Sequence, residues 1–473
     1  MTIVEMIVSL VCVVMLMLAY TQLFSNVSGT IGDARSMIEL TGRMNTAKQK
    51  LRIDLAGVTC TMLPPRDPKS GEGYFEIIAG PLHDTTMVST GSSWNDSFPI
   101  LGTVDNVLMF TTRSKDGPFT GRMWIDANGD HTVQADELKT VQSEAAEVMW
   151  FLRPSLKEDG VKPLDPPTYT LYRKAFLVLP NFAPGGIAAS IVDSNPTAYD
   201  WSYHPESGPS GTIYVGNTLG DLTKRECRMA HESLIANVPA GVGAAGKYPH
   251  RVIPNLVVPF GGSLDSTALT GFKLDSSNAR FGEDVVLTNV VSFDVQVWDP
   301  AAPVQLNSGT AVTPPDPGFA AAGIASSTGA FVNLNWGGSS KAWTSPGVIS
   351  PFQTTGHPKS QLVANPPSTA DYNKSWLRYP LSDTTNYRQP STYDVFSIHY
   401  EHDGIDQDGD GKVDQGTDGF DNNNDGVVDD INERETMAPY PVPLRGIKVT
   451  IRCYEPDSRQ VHEVTIVESF LPQ

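Results

Sequence analysis

The chain has 473 residues, of which 40% are hydrophobic and 18% charged, so it is long enough for two or three ordinary domains and too apolar for a disordered acidic tail. Its 34 Lys and Arg face 53 Asp and Glu, and the net charge of −19 argues against a nucleic-acid-binding protein, because phosphate contacts need clustered basic side chains. The 41 Gly and 36 Pro residues are typical of many turns between short strands and favour a β-rich globular part.

The amino-terminal segment, residues 1 to 24, is an apolar run long enough to cross a bilayer as a helix. No Lys or Arg precedes Arg35 and no A-x-A pattern follows the run, so a cleaved secretory signal is not expected and the segment is predicted to be retained. Glu5 is unusual there, because a carboxylate in an apolar segment is costly unless it is protonated or paired. An α-amino group is the natural partner.

The residues MTIVEM at positions 1 to 6, followed by an apolar helix, resemble the mature amino terminus of type IV pilins and type II secretion pseudopilins. In that family a prepilin peptidase removes a short leader, the new first residue is N-methylated, and the fifth-position Glu pairs with the terminal amine of a neighbouring subunit. The resemblance therefore implies Met1 and Glu5 as assembly residues. An ordinary signal anchor that begins at Met1 is the alternative.

An amphipathic pattern continues the helix beyond the apolar run to about Gly57, so residues 1–57 are predicted to form one N-terminal helical unit. Gly29 and Gly32 predict a kink or a locally unwound stretch, because Gly lowers helix stability by about 1 kcal/mol relative to Ala. The apolar or small residues of the pattern recur at spacings of three, four and seven: Ala34, Met37, Ile38, Met44, Leu51, Leu55 and Val58.

Beyond Pro64, short β-branched and aromatic runs bounded by turn residues predict strands. The clearest lie at 107–112, 147–152, 169–179, 284–297, 394–400, 446–454 and 461–469. The order of VMWFLRP, TYTLYRKAFLVLP, VVLTNVVSFDVQVWD and PLRGIKVTIRCYE resembles the J-type minor pseudopilins and related large minor pilins, in which such strands form a sheet over the helix. The resemblance implies an α+β fold, with a long N-terminal helix, transmembrane and then amphipathic, packed on a C-terminal antiparallel β-sheet domain.

Large loop insertions are predicted within this head, residues 58–473. Residues 300–392 are rich in Pro, Ser, Thr, Gly and Ala with little periodicity, which favours long surface loops. Residues 401–435 hold 13 acidic and 2 basic residues, so this segment contributes −11 of the net charge of −19.

The acidic segment contains a 15-residue repeat, DGIDQDGDGKVDQGT followed by DGFDNNNDGVVDDIN. Oxygen side chains at loop positions 1, 3, 5 and 9, a Gly at position 6 and a carbonyl at position 7 meet the requirements of calcium. The candidate ligands are Asp406, Asp408, Asp410, Lys412 and Asp414 in the first loop, and Asp421, Asn423, Asp425, Val427 and Asp429 in the second.

Position 12 of these loops carries Thr417 and Asn432 instead of Glu, so they resemble thrombospondin type 3 or dockerin-like repeats more than paired EF-hands. The flanking FSIHY and IKVTIRCY runs predict strands on both sides. A solvated acidic loop without metal is the alternative. The expected role of calcium is to order loops after export.

A third candidate loop has the complete EF-hand spacing, with His131 where Gly is expected. His tolerates a positive φ better than most residues, so binding is expected to be weakened and not abolished. An acidic turn that binds nothing is the alternative. The candidate ligands are Asp126, Asn128, Asp130, Thr132 and Glu137.

Enzyme motifs are absent from the sequence: it has no H-E-x-x-H, no G-x-S-x-G and no P-loop, and Pro249 follows its one G-x-G-x-x-G closely. An enzyme is therefore not expected. Outside the apolar run, Cys60, Cys227 and Cys453 allow at most one intramolecular bridge, and the sequence leaves its pairing open.

We expect a structural subunit of an extracellular type IV pilus-like or pseudopilus filament, with calcium-stabilised head loops. The subunit would wait in the inner membrane and assemble through its N-terminal helix into an extracellular or periplasmic filament. The expected partners are other pilin subunits of the same or another kind, the membrane before assembly, prepilin peptidase and the assembly machinery, and no nucleic acid. A membrane-anchored calcium-stabilised adhesin or binding module, and a minor tip pseudopilin of a type II secretion system, are the alternatives.

Overall fold

The structure is a computed structural model. It describes residues 2–64, 66–79, 87–89, 97–99, 103–104, 106–125, 137–155, 168–194, 198–209, 211–224, 227–229, 280, 282–316, 318–319, 325–334, 336, 391–396, 412, 415–429, 433, 440 and 442–471.

A single long helix, α1 (Ile3–Ala56), begins the chain. It ends where the sequence predicts, since Gly57 follows directly and donates its backbone N–H to the Asp54 carbonyl, while Val58 donates to the Leu55 carbonyl. The local unwinding predicted at Gly29 and Gly32 is wrong, because α1 is helical through both residues. The cost of about 1 kcal/mol per Gly is too small to interrupt a helix whose flanking segments are long and regular.

Seventeen strands, one further short α-helix and two single-turn 3-10 helices follow among the described residues, in an α+β arrangement. The strands are β1 (Phe75–Ala79), β2 (Met87–Ser89), β3 (Ser97–Pro99), β4 (Val107–Arg113), β5 (Phe119–Trp124), β6 (Leu138–Ser143), β7 (Ala145–Pro154), β8 (Tyr169–Leu177), β9 (Ile187–Ala188), β10 (Tyr203–Gly208), β11 (Gly211–Gly216), β12 (Val285–Asn307), β13 (Thr310–Val312), β14 (Ser327–Val332), β15 (Ser391–Asp394), β16 (Gly446–Glu455) and β17 (Gln460–Ser469). The short helix is α2 (Ala189–Ser194).

One large antiparallel sheet forms the centre of the head, with the strand order β15-β1-β4-β7-β8-β12-β16-β17. Strands β13 and β14 also pair with β12. A three-stranded sheet, β10-β11-β9, and the ribbons β5-β6 and β2-β3 complete the described strands. The predicted sheet is therefore present.

Strand β12 extends through the start of the predicted insertion at 300–392. It runs on past Pro300 and Pro303 and pairs with β14, with a register shift between Asp299 and Pro303. A proline has no N–H to donate and is tolerated at such an irregularity, which explains why a strand continues through a stretch that the sequence presents as a loop. Of the FSIHY run predicted as a strand, Phe396 follows β15 in a turn and the rest lies outside the described residues.

The last third of α1 packs on the sheet through one buried stripe. Its members follow the spacing of a single helix face: Leu40, Met44, Ala47, Leu51 and Leu55. The chain then runs alongside β4, where the Gly57 carbonyl accepts the Arg113 N–H at 2.8 Å. A Cβ at Gly57 would lie 2.1 Å from the Arg113 carbonyl oxygen, so this approach requires a glycine.

Candidate functional site: the exposed helix and the acidic loop

The amino-terminal part of α1 is apolar and uncovered. Every described side chain from Ile3 to Arg35 is exposed, and the most apolar 18-residue window has a mean hydropathy of 2.5 with none of it buried. By length and composition α1 is able to cross a membrane. Apolar surface of this extent is unfavourable in water, so the segment needs lipid or other apolar helices around it.

Glu5, predicted to pair with a neighbouring subunit, contacts its own chain in this structure. Its Oε2 accepts the Thr2 backbone N–H at 2.7 Å, which satisfies one of the free donors at the start of the helix. Met1, the other predicted assembly residue, lies outside the described residues. The carboxylate thus has a capping role within the chain that the sequence reasoning did not anticipate, although Thr followed three residues later by Glu is the pattern of a capping box.

A second apolar face of α1 points away from the head. Ile38 lies two residues before Leu40, and Ile53 lies two residues after Leu51, so each is about 200° around the helix from the buried stripe. Their exposed fractions are 74% and 40%, and Ile31 on the same face is 64% exposed. The helix therefore offers apolar contact area on the side opposite the sheet.

The second acidic loop is described from Gln415 to Asp429 and again at Glu433. Asp421 accepts the N–H groups of Asp425 at 3.1 Å and Gly426 at 2.9 Å, and the side chain of Asp425 accepts the Val427 N–H at 2.9 Å. Gly426 has φ 93°, the left-handed conformation for which glycine is favoured at position 6. The turn geometry that the repeat predicts is therefore present.

The other predicted side-chain ligands of this loop also bind backbone groups. Asn423 Oδ1 accepts the Asp425 N–H at 2.8 Å, and Asp429 Oδ1 accepts the Gly419 N–H at 2.8 Å, which closes the loop. Val427, predicted to contribute its carbonyl, is 56% exposed. In the described part of the chain, no three His, Cys, Asp or Glu side chains converge as a metal site.

Glu433 is a member of this loop that the sequence reasoning missed. It lies one residue past the expected position 12, yet it is only 4% exposed, and its Oε1 accepts the backbone N–H groups of Asn422 and of Asn423, the latter at 3.1 Å. The donor set of the loop is entirely oxygen and mostly anionic, which fits a hard cation such as calcium. To bind such an ion, the side-chain oxygens of the loop would have to give up the hydrogen bonds that they accept from backbone N–H groups.

The remaining predicted ligands are only partly described. Asp406, Asp408, Asp410 and Asp414 of the first loop, and Asp126, Asn128, Asp130 and Thr132 of the third, lie outside the described residues. Lys412 is exposed. Glu137 is 5% exposed and accepts the Trp124 indole N–H at 2.9 Å, so its carboxylate is held at the edge of the β5-β6 ribbon.

A buried polar cluster lies in the head, and no motif in the sequence indicated it. The fully buried Glu147 accepts the Tyr74 hydroxyl at 2.7 Å, the Ser202 hydroxyl at 2.8 Å and the Met229 N–H at 3.1 Å. Burial raises the pKa of Glu147 to about 7, and these three hydrogen bonds partly offset the effect. Its contacts join the strand β7 to three separate segments of the head.

Arg228 completes the same region with a buried ion pair on each side. It donates to Glu76 at 2.8 Å and to Asp394 at 2.5 Å, and all three side chains are fully buried. Its guanidinium also lies 4.0 Å from the centre of the Tyr74 ring. This arrangement ties the edge strand β15 and the strand β1 to the segment that contains Arg228.

The three cysteines beyond the apolar run are buried in this structure, and Cys60 and Cys453 are thiols without a disulfide. Burial raises the pKa of both Cys60 and Cys453 to about 12, which makes these thiols poor nucleophiles. They behave as small apolar core residues.

Compared with known proteins, the chain matches no family model, no curated protein and no solved structure.

Proposed function

We propose that this chain is a structural, non-catalytic subunit of an extracellular type IV pilus-like or pseudopilus filament that assembles through α1. The observation that carries the proposal is the exposed amino-terminal part of α1, Ile3 to Arg35, which is apolar through residue 24 and is joined to a head that has its own core. Lipid would cover the apolar surface of such a helix before assembly, and neighbouring helices would cover it in a filament. The outward face at Ile31, Ile38 and Ile53 extends this apolar surface beyond the membrane segment.

Glu5 is proposed to set the axial register of the filament by pairing with the terminal amine of a neighbouring Met1. A carboxylate in an apolar helix core is favourable only when a charge partner compensates its desolvation. The contact with the Thr2 N–H supplies one hydrogen bond and no positive charge. A partner from another subunit would supply the charge.

The test compares Glu5→Ala with Glu5→Gln, because Gln keeps an acceptor for the Thr2 N–H but has no charge. We expect both variants to reduce the filament yield from sheared cells by about tenfold or more, since losing a buried charge pair costs more than about 1.4 kcal/mol. Glu39→Gln, which removes an exposed charge from the same helix, is the control and should assemble normally. Normal assembly of Glu5→Gln would show that Glu5 only caps the helix.

Calcium is proposed to stiffen the head through the loop that contains Asp421, Asp425 and Asp429, with the first and third acidic loops as further sites. An ion bound at a carboxylate cluster relieves the mutual repulsion of its charges. We expect millimolar calcium to raise the unfolding temperature of the full chain, and Asp425→Ala to reduce that rise. Asp457→Ala removes an exposed acid from the β16-β17 turn and is the matched control. An equal rise in the two variants would refute a calcium site at this loop.

The proposal also gives the chain a place and partners. It would lie in the inner membrane before assembly, be processed by prepilin peptidase and be drawn by the assembly machinery into a filament outside that membrane. Immunogold labelling of intact filaments distinguishes a repeating subunit, which is labelled along the length, from a minor tip pseudopilin, which is labelled at one end.

A membrane-anchored, calcium-stabilised adhesin or binding module is the second candidate. The hydrogen bond between Glu5 and the Thr2 N–H favours it, because this contact caps the helix without a neighbouring subunit. Crosslinking in intact cells through Ile38→Cys separates the two candidates. Covalent dimers joined through position 38 are expected for a filament, and single chains are expected for an anchor.

A further inference from the structure

Asp54 lies in the last turn of α1, a position at which two physical effects disfavour a carboxylate. The C-terminal end of a helix has a partial negative charge, which disfavours an acid at this position. Asp54 is also only 3% exposed, and an ionised carboxylate is costly to bury unless it is paired and hydrogen-bonded. Contacts outside the helix must therefore account for this residue.

Three neighbouring strands hold Asp54. Arg173 of β8 donates from Nε to Oδ2 and from Nη2 to Oδ1, both at 2.7 Å, and Trp150 of β7 donates its indole N–H to Oδ2 at 2.9 Å. Thr112 of β4 donates its hydroxyl to the Asp54 carbonyl oxygen at 2.7 Å. We call Asp54, Arg173, Trp150 and Thr112 the helix joint.

The helix joint restrains orientation in a way that the apolar stripe does not. A planar guanidinium that binds both carboxylate oxygens fixes an angle as well as a distance, and the indole N–H adds a third direction. Apolar contacts, such as those of Leu40 and Leu51, are not directional. Replacing a buried ion pair by apolar side chains is often neutral for stability, so the special contribution of the joint is geometric.

We propose that the helix joint fixes the direction in which the exposed part of α1 leaves the head, with Asp54 as the positioning residue. Some 51 residues separate Ile3 from Asp54, which is a lever of about 77 Å. A swing of about 10° at the joint would move the helix start by about 13 Å, slightly more than one helix diameter. For a filament subunit this motion would prevent regular packing, and that consequence alone rests on the proposed function.

The experiment measures the helix direction in single chains in detergent, so its result does not depend on whether filaments form. Spin labels are placed at Arg35→Cys on the exposed helix and at Glu144→Cys on the head, in a Cys12→Ser background. Pulsed electron paramagnetic resonance then gives the distribution of label distances. The unaltered joint should give a narrow distribution, and Asp54→Asn should broaden it about twofold or more, because Asn cannot bind the guanidinium at two charged points.

Two further variants distinguish an effect on the direction of α1 from an effect on the stability of the fold. Arg173→Lys keeps both charges but loses the two-point contact, and the double variant Asp54→Leu with Arg173→Met replaces the pair by apolar side chains. Both should broaden the distribution, and the double variant should do so with little change in its unfolding midpoint. Glu39→Gln, which removes the exposed Glu39–Arg43 pair of the same helix, should leave the width unchanged. Unchanged widths in Arg173→Lys and in the double variant would overturn the proposal.

Discussion

The buried carboxyl of Glu147 predicts an unusual dependence of head stability on pH. The perturbation is Glu147→Gln, which has nearly the same shape and keeps an acceptor for the Tyr74 hydroxyl and the Met229 N–H. The Gln side chain does not titrate. The difference in unfolding free energy between the parent chain and this variant therefore isolates the titration of one group.

The magnitude follows from the pKa of Glu147, which burial raises from 4.5 to about 7 in the folded chain. Between these two values the folded state holds a proton that the unfolded state has released, so stability must fall as the pH rises. A difference of about 2.5 pH units at about 1.36 kcal/mol each amounts to about 3 kcal/mol. The stabilisation is complete below about pH 4.5 and lost above about pH 7.

The assay is urea unfolding of both proteins in detergent at fixed calcium and ionic strength, from about pH 4 to pH 8. We expect the unfolding free energy of the parent chain to fall by about 3 kcal/mol relative to that of Glu147→Gln between about pH 4.5 and pH 7. Below and above these values the difference between the two proteins should be constant. A difference that stays constant, or that rises with pH, would refute the reasoning, because the carboxylate would then be the form that the three donors favour.

Two further predictions concern the junction of α1 with the sheet. Leu51→Ala should destabilise the head by about 2–5 kcal/mol in urea unfolding because Leu51 is fully buried. Ile38→Ala changes an exposed residue on the opposite face and should be nearly neutral. An equal loss of unfolding free energy in the two variants would contradict the packing described. Gly57→Ala should lower the unfolding midpoint because its Cβ would meet the Arg113 carbonyl oxygen at 2.1 Å, whereas Gly42→Ala, in open space within α1, should stabilise the helix by about 1 kcal/mol. A tolerated Gly57→Ala would show that the chain passes β4 at a greater distance.

Local sequence signals predict the elements whose partners are close in the chain. Strand β16 and strand β17 begin and end within one residue of the expected runs, because a hairpin with regular alternation is specified by its own residues. The end of α1 was equally predictable, since Gly57 stops the helix. The loop around Gly426 has the turn geometry that its spacing indicates.

The polar contacts of the core could not be predicted, because their partners are distant in sequence. Asp54 and Arg173 are 119 residues apart, and Arg228 and Asp394 are 166 residues apart. Each looks locally like an ordinary exposed charge. The packing of α1 and of the segment 227–229 on the strands β15-β1-β4-β7-β8 brings these side chains together, and no periodicity encodes that arrangement.

The contact between α1 and β17 has a consequence for how the molecule reaches this structure. The helix contacts β17, β16, β12 and β4, so the surface that receives its apolar stripe includes the hairpin from Gly446 to Ser469. Closing a loop of nearly 400 residues costs about 5 kcal/mol of chain entropy, so this contact is the kind of long-range contact that slows folding. Until that hairpin is in place, part of the apolar stripe of α1 lacks the surface that covers it in the folded head.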